Sequence, residues 1–566
     1  MGRAQCDPPL AGWAAIALIA GWYACALALL YPLADGPVVD SWLYASAVRR
    51  FMHTGEIRFA GFTQAMPIAQ VLYGAAWARA FGANPVSLEL SIVVLAIVCG
   101  IVFHALLMRC GARPWQAIAA TGLLLFNPCF TFLSFSFMTE IPFLLLLMGA
   151  YLSFAKAEGA HRAAWLRLAA LLIVIDFLIR PFAAMAIAGC AIAVLIFRYT
   201  GYGRDRGEAQ DTSDRANLIA MIAPFAAAFV VCALIWIWLT VLGPKPWDLE
   251  RNENHFKYLF LVSIWNYLRA GVLGPALYLG TVLAPMSILQ LATSRWRRVV
   301  VIGASILATA MVLMYLDRSL PVTPEYSCFG GWSNVLTLRG LSNRFFWDGY
   351  WQYVFLVFAS LGTGGLIVAC MDVGMKLPRA ALAVVIGALI YWAATIPLWF
   401  YNDRYYLVLV PAGAIVLALA PLPRSRLITS AGFAMTLAMG LMSLGGAYAY
   451  QRGLTTMLAM RDALEQQGIP RSAIDAGYSL NGQDLYRYPK QGIETMKYEA
   501  GIPMITSPSV GQYTIASGPI EGTRLVRKFS WPGPFGLGHR DLFLLKRTGA
   551  PGVDSKQAEL GVHDKH

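Results

Sequence analysis

The feature that most constrains this chain is the recurrence of long apolar runs. Stretches of about 17–25 apolar residues suffice to cross a hydrocarbon layer as a helix. Such runs lie at 11–33, 86–108, 115–133, 138–156, 164–179, 181–198, 217–242, 268–292, 299–316, 351–370, 380–400, 405–422 and 427–447. The fifth and sixth are short and are separated only by Arg180-Pro181. The pattern predicts a polytopic α-helical membrane protein with about 13 transmembrane helices. The charged fraction is 13%, about half that of a soluble domain, and hydrophobic residues make up 58% of the 566 positions.

The basic residues set the expected orientation. Arg109 and Arg113, Lys156 with Arg162 and Arg167, and Arg198 with Arg204, Arg206 and Arg215 fall in alternate loops. So do Arg295, Arg297 and Arg298, Lys376 and Arg379, and Arg424 and Arg426. If the helices alternate, all of these lie on one side, which the positive-inside tendency makes cytoplasmic. The N-terminus is then inside and the C-terminal tail outside. The net charge of +13 comes mostly from these short loops, so it reads as orientation signal and membrane-lipid contact. No Lys/Arg block suggests a nucleic-acid partner. The nine cysteines are scattered, nearly all within apolar runs, with neither a disulfide framework nor a metal spacing. The first apolar run lacks a convincing small-residue cleavage site and is expected to be an uncleaved helix.

The outside face therefore holds the informative material. The first outside loop, 34–85, opens with Val38-Val39-Asp40-Ser41-Trp42-Leu43-Tyr44. Trp42, Ala45, Val48 and Phe51 have helical spacing, and Pro67 to Phe81 forms a second apolar-faced stretch. Two amphipathic helices lying in the interface are expected, with Gly55 and Gly61 as breaks between them. A second long outside loop covers 317–350, and loops of that length are often functional lids. The membrane domain should end near 447, followed by a small outside α/β domain over 448–566. In that domain Thr455 to Gln467 is expected to be helical, and Gln512–Ala516, Arg524–Phe529 and Asp541–Leu545 alternate like strands.

Four charged positions converge on the outside face. Asp40 follows the first span, where it is either an ordinary interfacial acid or a base for an acceptor group. Glu140, in Met138-Thr139-Glu140-Ile141-Pro142, opens the fourth span. There it suits a helix first turn capped by Thr139 as well as a watery cavity. Arg180 sits at the Arg180-Pro181 break, suited to a phosphate or to pairing with Asp176 one turn earlier. Arg404, in Asn402-Asp403-Arg404-Tyr405-Tyr406, is a second phosphate clamp or a local partner of Asp403. His53, Glu56 and Arg58 lie between the two amphipathic helices, and His255 lies in a further outside turn. An Asp–Glu–His metal site built from Asp40, Glu140 and either histidine lacks any ligand spacing, so no cofactor is assigned, with a divalent metal ion as the open alternative. The sequence contains no Walker loop, dinucleotide fingerprint or G-x-S-x-G elbow.

The acid after helix one, the two interfacial helices, the T-E-x-P opening of helix four, the R-P break, the D-R-Y-Y segment before Pro411 and the tail opening Ile474-Asp475-Ala476-Gly477-Tyr478 occur in one order. In that order they resemble the GT-C superfamily of integral-membrane glycosyltransferases. The nearest branch is family 39, with the protein O-mannosyltransferases and the lipid A aminoarabinose transferase. The resemblance implies a glycosyltransferase in a bacterial inner membrane, with a polyprenyl-phosphate-linked sugar as donor. A lipid, glycan or protein on the outer face would be the acceptor. It makes Asp40 and Glu140 the catalytic acids, and Arg180, Arg404 and Tyr405 the lipid-phosphate binders. Tyr44, Arg58 and His255 are expected to line the substrate cavity. Many relatives carry a second acid beside the first, where Ser41 stands here, which favours Asp40 acting alone or with Glu140. The rival readings are a transporter or flippase of lipid-linked sugars, a non-catalytic scaffold, and a polysaccharide polymerase or ligase.

Overall fold

The computed structural model describes residues 10–59, 66–157, 161–200, 215–243, 271–292, 296–317, 350–396, 403–421, 425–487, 512–536 and 538–548. His255 and nearly all of the expected 317–350 loop lie outside the described residues.

The chain is a helical bundle with a small sheet at its C-terminal end. In chain order the helices are α1 (Leu10–Leu30), α2 (Ser41–Thr54), α3 (Ile68–Phe81), α4 (Pro85–Arg109), α5 (Pro114–Leu125), α6 (Pro128–Ser134), α7 (Glu140–Lys156), α8 (Arg162–Phe177) and α9 (Ala184–Tyr199). There follow α10 (Arg215–Ile237), α11 (Gly274–Gln290), α12 (Trp296–Asp317), α13 (Tyr350–Val373), α14 (Arg379–Thr395), α15 (Asp403–Tyr406), α16 (Val410–Leu419), α17 (Arg426–Gln466) and α18 (Tyr478–Arg487). Among the described residues, 7 helices are long and apolar enough to cross a membrane, or 8 if one bent pair counts as a single span.

That bent pair is a departure from the sequence expectation. The run 115–133 forms two helices, α5 and α6, that meet at 66°. The cause is local. Asn127 accepts hydrogen bonds from the Cys129 and Phe130 backbone N–H groups at 2.8 and 3.2 Å, capping a new helix whose first residue is Pro128. A residue before proline is disfavoured in the α region, so hydrophobicity alone did not reveal the break.

The close helix contacts rely on small residues. Gly189 of α9 faces α14, and a Cβ there would fall 2.6 Å from the Ala383 carbonyl oxygen and 3.0 Å from Gly387 Cα. Gly280 of α11 and Gly362 of α13 touch backbone to backbone in the same way. Where lipid and apolar side chains are equally greasy, such approach is what lets helices gain dispersion contacts.

The loop expected to lie in the interface plane is built into the bundle. Helix α2 buries Trp42, Leu43, Tyr44, Ala45, Ala47 and Val48. Helix α3 packs on it through Gly74, where a Cβ would meet Val48 at 2.8 Å and the Phe137 ring at 2.6 Å. Gln70 of α3 donates through Nε2 to the Phe137 and Met138 carbonyls at 3.2 and 3.3 Å, and the Ala69 N–H donates to the Leu178 carbonyl at 3.1 Å. Helix α3 thus ties down both the segment before Glu140 and the segment before Arg180.

The tail begins inside a helix. The expected span 427–447 and the expected tail helix at 455–467 are one 41-residue helix, α17, roughly 60 Å long at 1.5 Å per residue. The expected boundary at 447 falls within it. Beyond α17 the strands are β1 (Ile474–Asp475), β2 (Tyr513–Ala516), β3 (Thr523–Pro532) and β4 (His539–Arg547), in the order β1-β2-β4-β3. Strand β1 runs parallel to β2, and β4 is antiparallel to β2 and β3, with a register shift between Leu525 and Arg527. The sheet is fixed to α17 by the Trp531 indole N–H, which donates to the Ala449 carbonyl at 3.0 Å, and by the Phe535 ring against Gly445.

Two outcomes test this packing. Gly189→Leu should force α9 and α14 apart and destabilise the bundle by about 1–3 kcal/mol. Gly303→Ala on α12, where nothing lies within 4 Å of the added Cβ, should leave the melting temperature in lipid unchanged or slightly raised. On the sheet, Lys528 Nζ at 2.7 Å and the Ser530 hydroxyl at 2.7 Å hold the Asp541 carboxyl below its usual range. A depressed pKa stabilises the fold above the unfolded value of about 3.9 and ceases to do so as pH falls through the folded value. Asp541→Asn should therefore lower thermal stability slightly at neutral pH, and the difference should vanish in strong acid.

Candidate active site

Four elements far apart in sequence bring four charges together. Asp40 is the residue before α2, Glu140 is the first residue of α7, Arg180 lies between α8 and α9, and Arg404 is in α15. The Arg180 guanidinium forms an ion pair with Glu140 Oε1, and its Nε donates to Thr139 Oγ1 at 2.8 Å. Arg404 Nη1 stands 3.0 Å from Asp40 Oδ2, and its Nε stands 3.5 Å from Glu140 Oε1. Two guanidiniums therefore converge on a single carboxylate oxygen. The side chains of Glu140, Arg180 and Arg404 are 3%, 9% and 10% exposed, whereas Asp40 at 17% is the one most open to solvent.

Local structure directs Asp40 and Thr139 into the cluster. Asp40 stands at the N-cap of α2 but makes no side-chain cap, so its carboxylate points to Arg404 instead of closing its own helix. Val39, just before it, adopts φ 49°, a left-handed conformation that a β-branched residue takes only under strain of about 1–3 kcal/mol. Such strain is stored where the surrounding packing over-determines it, and Val38 and Val39 are both buried. Thr139 likewise makes no side-chain cap on α7, and its hydroxyl serves Arg180. The expected capping role is thus replaced by a positioning one. Asp176 does not take Arg180 as a side-chain partner. Its backbone oxygen accepts from the Arg180 N–H at 2.9 Å, while its carboxylate oxygens have no hydrogen-bond partner.

The other sequence candidates divide. Tyr44, one turn into α2, is buried, and burial, reinforced by the charge of Asp40, pushes its phenol up, so it stays a neutral hydroxyl. Tyr405 lies against the cluster, with the Arg404 guanidinium carbon 5.5 Å from its ring centre. Arg58 is placed at the exposed surface, 4.0 Å from Glu56, outside this buried group. His255 lies outside the described residues.

Sequence reasoning missed the apolar half of the site. A cleft between α7, α9 and α14 is lined by Phe143, Leu147, Tyr151, Phe182 and Tyr391. It adjoins the charges directly: the Arg180 guanidinium carbon is 5.9 Å from the Phe143 ring centre, and Phe182 and Tyr391 meet edge to face at 5.3 Å. These residues sit in uniformly apolar runs, where nothing in the sequence separates a cleft wall from ordinary packing. Gln70, which holds the segment before Glu140, had a visible signal as a lone amide on an apolar-faced helix.

The charges balance, two carboxylates against two guanidiniums. A divalent cation fits this donor set poorly, since it would have to displace Arg404 from Asp40 and bring its charge beside Arg180. The set suits an anion instead. Two guanidiniums directed at one oxygen form the fork that a phosphate diester accepts. Glu140 Oε2 is buried and has no hydrogen-bond partner.

No protein-family model matches the chain, and no curated protein matches it. Solved structures give distant likenesses. ArnT from Cupriavidus metallidurans in the apo state has 12% identity and a TM-score of 0.36, with 96% of this chain and 100% of that chain covered. The archaeal oligosaccharyltransferase AglB from Archaeoglobus fulgidus, in complex with an inhibitory peptide and a dolichol-phosphate, has 16% identity and a TM-score of 0.44, over 81% of this chain and 60% of that one. The S. cerevisiae protein O-mannosyltransferase Pmt1-Pmt2 complex bound to the sugar donor has 13% identity and a TM-score of 0.31, over 43% and 35%.

The cluster makes a thermodynamic prediction. Arg180→Met leaves Glu140 buried with a poorer partner set and should cost about 3–5 kcal/mol, whereas Arg180→Met with Glu140→Met should recover most of that loss. Melting temperatures of the two single variants and the double variant, taken as a cycle, measure the coupling directly.

Proposed function

We propose that this chain is an integral-membrane glycosyltransferase of the GT-C type, moving a sugar from a polyprenyl-phosphate-linked donor to an acceptor on the outer face of a bacterial inner membrane. One observation carries the reading: a buried, charge-balanced quartet of two arginines and two acids lies beside an apolar cleft, with Arg180 against the ring of Phe143 in its wall. A lipid-phosphate sugar has the complementary character, an anion between a greasy chain and a polar ring. In this reading Arg180 and Arg404 hold the phosphate, Tyr405 flanks it, and the prenyl chain runs along the Phe143–Tyr391 cleft.

The chemistry follows from the geometry. In the resting site Arg404 pairs with Asp40. A donor phosphate draws on the same guanidinium, weakening that pair and leaving Asp40 to accept a proton. The acceptor's hydroxyl or amine then attacks the anomeric carbon and its proton passes to Asp40. The bond from that carbon to the phosphate oxygen breaks, and the lipid phosphate leaves with its charge held by the two guanidiniums. Attack from the face opposite the leaving group inverts the anomeric centre. Glu140 Oε2 orients a substrate hydroxyl. A resident metal has no step here.

A second reading has one observation of its own. Transporters often use broken helices, and the α5–α6 pair bent by 66° is a second break besides the one at Pro181. A transporter of lipid-linked sugars would carry the donor across the membrane without transfer.

One assay separates the two. The full chain in lipid, given radiolabelled polyprenyl-phosphate sugars and an envelope extract, should transfer label to the extract. Asp40→Asn should reduce transfer by a factor of about 100 or more, in the range of a lost general base, while donor binding persists. Donor moved between leaflets with no transfer to any acceptor would favour the transporter.

A further inference from the structure

Two spans end at one level beside the C-terminal sheet. Gln451 Oε1 of α17 accepts from the Ala34 N–H at 3.0 Å, and Arg452 Nη2 donates to the Tyr31 carbonyl at 3.0 Å, just past the end of α1. Tyr31 is exposed, and the Arg452 guanidinium carbon lies 5.0 Å from the ring centre of Tyr448. Tyrosines with an arginine at the ends of two spans form the belt that marks a bilayer interface. On the span side of that level α17 exposes Leu437, Leu441 and Met442, as a lipid-facing row does.

The turn between β3 and β4 reaches past this level. The Phe535 ring lies against Gly445, where an added Cβ would fall 2.7 Å from it. Gly445 is one helical turn beyond Leu441 on the same face, so the ring fills the place where the outward row lacks a side chain. Along the helix axis Gly445 lies about 10 Å from Arg452, toward the middle of the span. At that depth Phe535 is still 43% exposed. Its backbone holds φ 52°, a left-handed conformation that a phenylalanine disfavours. The bond from the Trp531 indole to the Ala449 carbonyl anchors the strand that delivers it there. No Asp or Glu occurs between Glu521 and Asp541, so the turn brings no acid that anionic headgroups would repel.

We propose that the β3–β4 turn is a lipid contact, in which Phe535 enters the leaflet at the C-terminal end of α17 and its ring lies among the acyl chains beside Leu441. The occupant of this exposed surface is bilayer lipid, because the ring continues a row of α17 that faces lipid in a membrane span. Burial of apolar area at the boundary of headgroups and chains drives the insertion. A protein partner seated there would first have to displace the lipid around α17. The contact gives the C-terminal domain a hold on the bilayer besides α17 itself. It requires only that α17 spans the membrane, so it is independent of the reaction proposed above.

The test uses the full chain in nanodiscs of phosphatidylethanolamine and phosphatidylglycerol. A photoreactive benzophenone amino acid replaces Phe535 in one chain and Leu441 in another, and lipid adducts are measured by mass spectrometry after illumination. The adduct yield at position 535 should lie within about threefold of that at position 441, since both side chains would sit at the lipid boundary. A lower yield overturns the contact. A second measurement uses the unmodified chain in the same nanodiscs and compares hydroxyl-radical oxidation of Phe535 and Phe529. Phe529 is the less exposed of the two in the protein alone, so lipid over Phe535 should reverse the order and make Phe535 the slower to oxidise. An equal or faster rate at Phe535 overturns the proposal. Should the substituted chain fail to fold, the oxidation measurement decides alone.

Discussion

The structure depends on a buried electrostatic bargain among Asp40, Arg404, Glu140 and Arg180. A single charge at this depth would be expelled or neutralised, because desolvation in a low-dielectric interior outweighs what one hydrogen bond returns. Four charges in alternation are tolerable only if they stay within contact distance. That requirement falls on the backbone: the turn before α2, the start of α7, the break before α9 and the short α15 must all arrive at one point. Helix α3 is the brace that makes this happen, holding the α7 approach through Gln70 and the α9 approach through Ala69.

The same constraint accounts for several local oddities. Asp40 and Thr139 stand where helix caps belong and leave those caps unmade, their side chains committed to the arginines. Val39 holds a left-handed backbone that its side chain disfavours. Each sacrifices a little local stability to direct a polar group inward. The cluster is balanced as it stands, so an incoming anion must rearrange it. In the proposed reading, a site that is neutral at rest would couple binding of a donor phosphate by Arg404 to the release of Asp40 as a base.

How the C-terminal domain joins the bundle bears on the same site. Helix α17 runs without a break from the bundle to the sheet, and Trp531 and Phe535 pack the sheet on its flank. Helix α18 then returns to pack on Trp42 of α2, beside the residue that carries the candidate base.

Much of this was legible in the residues alone. Apolar run length located most of the long helices, of which 7, or 8 with the bent pair, are long and apolar enough to span among the described residues, and period-two alternation located β2, β3 and β4. The four charges stood out because acids and arginines at span ends have few ordinary uses. Pairing did not follow from sequence: local spacing pointed Arg180 to Asp176 and Arg404 to Asp403, and it did not point to the ion pairs of Arg180 with Glu140 and of Arg404 with Asp40 and Glu140. Local spacing ranks neighbours along a helix, whereas desolvation selects whichever partner the packed bundle brings into reach. The bend at Asn127-Pro128, the continuity of α17 and the cleft along Tyr391 are likewise decisions of the tertiary structure. Hydrophobicity determines that a segment is buried; which atoms it is buried against is settled only when the helices close on one another.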